Sequence, residues 1–183
     1  MLFTLTLSAQ TFSPQSQFGI GNMHSPLFSS NKAMGGISAG FRGSRDINYL
    51  NPASYSAIEF TTFDIGLHVY GNVISDSARL TDAANGGINH IALAFPIMQK
   101  KWGMSIGLLP LSYKNYIYND AVLEDSVNYN FQSKGSGSSY QLFWGNGFAI
   151  KNFSAGINTA FVFGQLDQSE NILFADSLNY INT

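Results

Sequence analysis

Four stretches, 88–97, 102–111, 140–150 and 153–164, contain no Asp, Glu, Lys or Arg, and each alternates between large apolar residues and small or polar ones. A period of 2 puts successive side chains on opposite faces of a strand. Ile91, Leu93, Phe95 and Ile97 therefore share one face, with His90, Ala92 and Ala94 opposite. Trp102, Met104, Ile106 and Leu108 oppose Gly103, Ser105 and Gly107. Tyr140, Leu142, Trp144, Phe148 and Ile150 line one face of the fourth strand, and Phe153, Ala155, Ile157, Phe161 and Phe163 one face of the fifth. The first strand, from Phe60 to Gly71, has Phe63, Ile65, Leu67 and Val69 on one face and Thr62, Asp64, Gly66 and His68 on the other. A water-exposed sheet face would carry charges. Here the second face is Gly, Ser, Ala, Asn and Gln, the pattern of a wall with lipid on one side and a packed polar interior on the other.

The spacing of the strands supports that reading. Residues 71–87 form a long connection, 98–101 a short one, 112–139 a long one, 151–152 a short one, and a long one begins at 165. Short turns at one end and long loops at the other are the habit of transmembrane β-barrels. A strand of about 10 residues rising about 3.3 Å per residue, tilted near 45°, spans roughly 23 Å of membrane. Trp102 and Phe153 follow the short turns, and Tyr70, Tyr113 and Tyr140 sit toward the long ones, as interfacial aromatic girdles would.

The 48 residues from Thr11 to Ile58 show no sustained period, and glycine recurs at positions 19, 21, 35, 36, 40 and 43. This segment ends at Asn51-Pro52-Ala53, where Pro52 fixes its own φ and pushes Asn51 out of the helical region, and where Asn51 can close an Asx-type turn on its own backbone. A rigid corner is expected there. Residues 1–10 are apolar and closed by small residues, and read as the remnant of an export signal, although the basic start is missing.

Composition excludes several functions. Only 11% of the 183 residues are charged and the net charge is -2, which provides no basic surface for nucleic acid. Cysteine is absent, so neither disulfides nor thiolate metal sites form. His24, His68 and His90 lack metal-ligand spacing. Asp64 and His68 share a face, but four positions along a strand separate their Cα atoms by about 13 Å, too far for a direct pair. Asp64, His68 and His90 are expected to line the interior. No nucleophile elbow or phosphate loop is present, and neither an enzyme nor a cofactor is expected.

The glycine-rich leader with Ala33-Met34-Gly35-Gly36, then Asn51-Pro52-Ala53, the strand Thr61-Thr62-Phe63-Asp64-Ile65-Gly66 and the run from Gly103 to Pro110 together make residues 17–164 resemble the N-terminal portion of the FadL/TodX family. The resemblance implies an outer-membrane channel for passive uptake of long-chain fatty acids or other hydrophobic compounds. It also implies a barrel plugged by a small N-terminal hatch. The expected fold is thus an all-β, transmembrane antiparallel barrel of which about five strands are present, with residues 11–58 as hatch and 59–183 as the N-terminal part of the barrel. Five strands cannot close a barrel, and open edges in lipid are costly, so the chain reads as part of a longer one. The expected partners are the lipid bilayer, a hydrophobic small molecule and the barrel-assembly machinery, and the expected location is the cell outer membrane. Pro110 cannot donate a ladder hydrogen bond, so a bulge or gap is expected beside it. With Gly103 and Gly107 it would form a lateral gate, as the kinked third strand does in that family. The alternative is a non-transporting barrel serving as scaffold in a secretion system, since some secretion barrels share an Asn-Pro-Ala-like corner. A soluble β-sandwich adhesin is a third reading.

Overall fold

The computed structural model describes residues 13–76, 79–124 and 127–174. The expected export signal at 1–10 lies outside them. Within them the chain forms β1 (Asn22–Met23), a short helix α1 (Ser29–Ala33), and five long strands, β2 (Thr62–Asp76), β3 (Arg79–Met98), β4 (Trp102–Glu124), β5 (Val127–Ile150) and β6 (Phe153–Phe174). Two 3-10 turns, Pro14–Gln17 and Pro52–Ala57, complete the leader. The sheet is antiparallel throughout, in the order β2-β3-β4-β5-β6, with β1 pairing on β4. It is open: β2 and β6 are its two edges.

The expected pairing through 98–101 and 151–152 is present, with Met98 opposite Trp102 and Ile150 opposite Phe153. The expected long loops are not. Residues 71–76, 79–87, 112–124, 127–139 and 165–174 continue the ladders, and Asp76 pairs with Arg79 and Glu124 with Val127. At 24 residues β5 is roughly 80 Å long, far more than a bilayer requires. These outer halves escape an alternation-based reading because no apolar face organises them. They are held by backbone hydrogen bonds and polar cross-strand pairs such as Gln132 Nε2 to Asn119 Oδ1 at 2.9 Å. On β4, β5 and β6 the charges Lys114, Lys134, Asp167 and Glu170 lie in the outer halves, whereas Asp64 sits in the inner half of β2.

Burial follows the alternation, inverted relative to a soluble sheet. The apolar faces are exposed: Val69 is 80% exposed, Ile150 74% and Phe153 84%. Ala92, Ala94, Gly103, Ser105, Gly107, Gln141, Phe143, Gly145 and Gly147, on the opposite face, are buried. What buries that face is the leader, whose Phe28, Ile47, Tyr55 and Ile58 join Ala92, Ala94, Leu109 and Phe143 in one core.

Three irregularities break the register, one of them at the short turn, where the β3–β4 pairing jumps from Pro96–Gly103 to Met98–Trp102 and leaves Ile97. Between β2 and β3 the pairing jumps from Gly66–His90 to Leu67–Ile88, leaving Asn89 as the extra residue. Between β4 and β5 it jumps from Pro110–Tyr140 to Ser112–Ser139, leaving Leu111. A bulge turns the strand beyond it by one residue. On β4 the buried positions accordingly change from odd (Gly103, Ser105, Gly107, Leu109) to even (Ser112, Lys114, Tyr116).

Candidate functional site

The inner face is built around a glycine groove. Gly103 on β4, Gly145 and Gly147 on β5 and Gly156 on β6 leave room for the Pro52–Ala57 turn to lie on the sheet. A Cβ at Gly103 would fall on the Tyr55 carbonyl oxygen, at Gly147 on the Pro52 oxygen, at Gly156 on the Pro52 carbonyl carbon, and at Gly145 on the Tyr55 ring and the Asn158 carboxamide. Only glycine permits backbone to approach backbone this closely. Pro52 at the start of the turn presets its φ, and Ser54 N–H donates to the Asn51 carbonyl at 2.9 Å. The Asx turn expected of Asn51 does not form. Its carboxamide instead donates to the Ala39 carbonyl at 2.8 Å and ties the corner to the leader. Around the turn, Asn158 Nδ2 donates to the Tyr49 carbonyl at 2.7 Å, and Arg42 donates to Ser154 Oγ at 2.7 Å and Ser56 Oγ at 2.9 Å. Tyr55 is fully buried with its hydroxyl toward Asn158, and burial pushes its pKa well above the usual phenol range.

A second contact fixes the middle of the leader. Asp64 on β2 and His90 on β3 are diagonal neighbours, since Asp64 pairs with Ala92 and His90 with Gly66. His90 Nε2 lies 3.2 Å from Asp64 Oδ1, within ion-pair reach but obliquely to a straight hydrogen bond. The leader's Phe28 stacks on the imidazole, with ring centroids 3.9 Å apart. The bulged Asn89 turns inward, where its Nδ2 meets the Leu27 carbonyl at 3.0 Å and His90 Nδ1 at 2.8 Å, and its Oδ1 accepts from Lys32 Nζ. The bulge thus serves as a clamp on residues 27–32.

The third feature is a split in the wall. The β3–β4 ladder ends at Ile91–Leu108, just below the bulges at Asn89 and Leu111, and the two hairpins diverge above it. The leader takes the free edge of β4: β1 pairs Asn22 with Tyr113 and Met23 with Ser112, His24 N–H donates to the Leu111 carbonyl at 2.8 Å, and Ser13 N–H to the Asn115 carbonyl at 2.9 Å. A cavity of about 370 Å³ occupies the split, lined in part by His24, His68, Pro110, Tyr113 and Lys114. The rings of His24 and His68 are 5.3 Å apart, and those of His24 and Tyr113 are 5.2 Å apart.

The residues singled out from the sequence are therefore distributed over three places. Asn51, Pro52 and Ala53 sit at the glycine groove together with Gly103. Gly107 lies farther along β4, against Phe143 and the Ile91 carbonyl. Asp64 meets His90, and His68 lies apart from them in the cavity with Pro110. Nothing in the local sequence marks the roles of Asn89, Phe28, Tyr55 and Lys114. The glycines at 145, 147 and 156, on the polar side of two strands, were the available signal for a docking groove. Among the described residues, no group of three or more His, Asp or Glu is arranged to hold a metal ion.

Burial holds the His24 imidazole below its ordinary value of 6.5, with His68 and Lys32 nearby adding to the effect. The folded state then binds fewer protons than the unfolded state below about pH 6.5, so stability contributed here is present above that pH and is lost as pH falls through the depressed value. Acidification from pH 7.5 to 5 is expected to speed hydrogen exchange at residues 18–28 before it affects the β4–β5 ladder. A His24→Gln variant should show a weaker pH dependence there.

Comparison with family descriptions gives one that matches residues 1–182, described as BamG. No curated protein and no solved structure matches. The match overturns the resemblance to the FadL/TodX family. The features that carried that resemblance, a glycine-rich leader, an Asn-Pro-Ala corner and small residues on β4, seat the leader on the inner face of this sheet, and they do not specify transport.

Proposed function

The chain belongs to the BamG family, and from that premise we propose that it forms part of a non-transporting outer-membrane wall that serves the barrel-assembly machinery as a scaffold. The observation that carries this reading is the leader. It occupies the small-residue face from β3 to β6 through the glycine groove, the Asn89 clamp and the hydrogen bonds of Asn158 and Arg42. A face filled in this way suits a rigid support better than a conduit. The opposite face, bare and apolar over the charge-free inner halves of β3 to β6, suits lipid. The leader would then be the hatch, and the long outer hairpins would project beyond the bilayer. In this role the chain performs no chemistry of its own.

Depleting the protein from its native cells tests the scaffold. Folded outer-membrane β-barrels are expected to fall several-fold, as measured by heat-modifiable gel migration of several unrelated barrels. Uptake of a labelled fatty acid, normalised to barrel content, should not change. Normal barrel levels in depleted cells would refute the proposal.

A further inference from the structure

The cavity at the β3–β4 split is chemically one-sided. Lys114, brought inward by the Leu111 bulge, is only 8% exposed. Its Nζ donates to Gln168 Oε1 at 3.2 Å, and among the described residues no carboxylate lies within ion-pair distance of it. Among the described residues no Asp or Glu lines the cavity, whereas His24, His68, Tyr113, Ser112 and Ser138 are among those that do. A buried lysine whose ammonium is answered by one neutral oxygen, that of the exposed Gln168, is poorly compensated, and an anion is the ligand that would compensate it. The other end of the cavity is apolar. Ile88, Leu108, Pro110 and Tyr140 line it, and Ile88 is half exposed on the outer surface, beside the bare face that carries Leu67 and Val69.

We propose that this split is a binding site for the anionic headgroup of a phospholipid, with the phosphate against Lys114 and the His24 and His68 rings and the acyl chains leaving between β3 and β4 along the apolar outer face. The volume of about 370 Å³ lies in the range of small-ligand sites and suits a headgroup without its chains. The arrangement rests on the reading that the bare face meets lipid, because only then do chains have somewhere to go.

The full chain, folded in non-ionic detergent micelles, would be titrated with dioctanoyl phosphatidylglycerol, dioctanoyl phosphatidylcholine and glycerol 3-phosphate. The anionic lipid is expected to bind at least ten-fold more tightly than the zwitterionic one. Lys114→Gln should remove that preference and Lys114→Arg retain it. Should Lys114→Gln fail to fold by circular dichroism, His24→Glu places a negative charge in the same cavity from a half-buried leader position and should also remove the preference. Equal binding of the two lipids, or an undiminished preference in the folded Lys114→Gln or His24→Glu variant, would overturn the site. Binding of glycerol 3-phosphate as tight as that of the anionic lipid would overturn the lipid assignment in favour of a soluble anion. Failure of the chain to insert into bilayers, with the lipid preference intact in micelles, would count against the membrane wall and leave the headgroup site standing.

Discussion

Replacing Gly103 with valine is expected to lift the Pro52–Ala57 turn off the sheet and destabilise the folded chain by about 3 kcal/mol. The new Cβ would coincide with the Tyr55 carbonyl oxygen, which is main chain and cannot rotate away as a side-chain tip could. The turn must therefore move as a unit. Tyr55, Ser54 and Ser56, all buried now, would move with it, and Arg42 would lose Ser56 and Ser154. The ladder itself has little reason to break, because valine favours a strand and Gly103 keeps its partners Pro96 and Gly147. Limited proteolysis separates the two effects. The variant should be cut within residues 40–58 at least ten-fold faster than the parent, while β4 and β5 keep their protection. Unchanged protection of 40–58 would mean that the leader is not seated through the groove. Gly147→Val, which would meet the Pro52 oxygen from the next strand, should behave alike.

Truncating Tyr55 to alanine should cost still more, about 3–5 kcal/mol, the range for large aromatic side chains removed from a core. Tyr55 is among the largest fully buried side chains, and its ring lies over Gly145, where no side chain exists to close the void. Tyr55→Phe preserves the ring and removes only the hydroxyl that faces Asn158, so its cost should be about 1 kcal/mol. Urea unfolding of the detergent-folded chain measures both. A Tyr55→Ala cost no larger than that of Tyr55→Phe would show that the ring is not what anchors the leader. A Tyr55→Phe cost as large as that of Tyr55→Ala would transfer the anchoring to the hydroxyl.

Much of the sheet was legible in local patterning. The apolar alternation of 88–97, 102–111, 140–150 and 153–164 marks strands because side-chain direction repeats every second residue wherever the backbone is extended, whatever lies beside it. Pro110 announced a disturbance in its strand, and the register does shift immediately after it, because a residue without an N–H and with a fixed φ fits poorly in a regular ladder. The FadL/TodX resemblance shows the opposite case. A leader and a corner that pack on small residues are requirements of the seating, so they bear on architecture and not on fatty-acid uptake.

What the chain determined by itself is therefore the inner half of each long strand, the two short turns, the bare apolar face and the irregular leader, since each depends on residues close together in sequence. The outer halves of the strands, the Asn89 and Leu111 bulges, the meeting of Asp64 with His90, the seating of Tyr55 in the glycine groove and the inward turn of Lys114 were decided only by the tertiary structure. The outer ladders are bonded through main-chain groups that every sequence possesses, and they leave no apolar period to read. Register is a relation between strands: a slip of one residue on β4 moved Lys114 from one face to the other, and nothing local to Lys114 records which neighbour sets that slip.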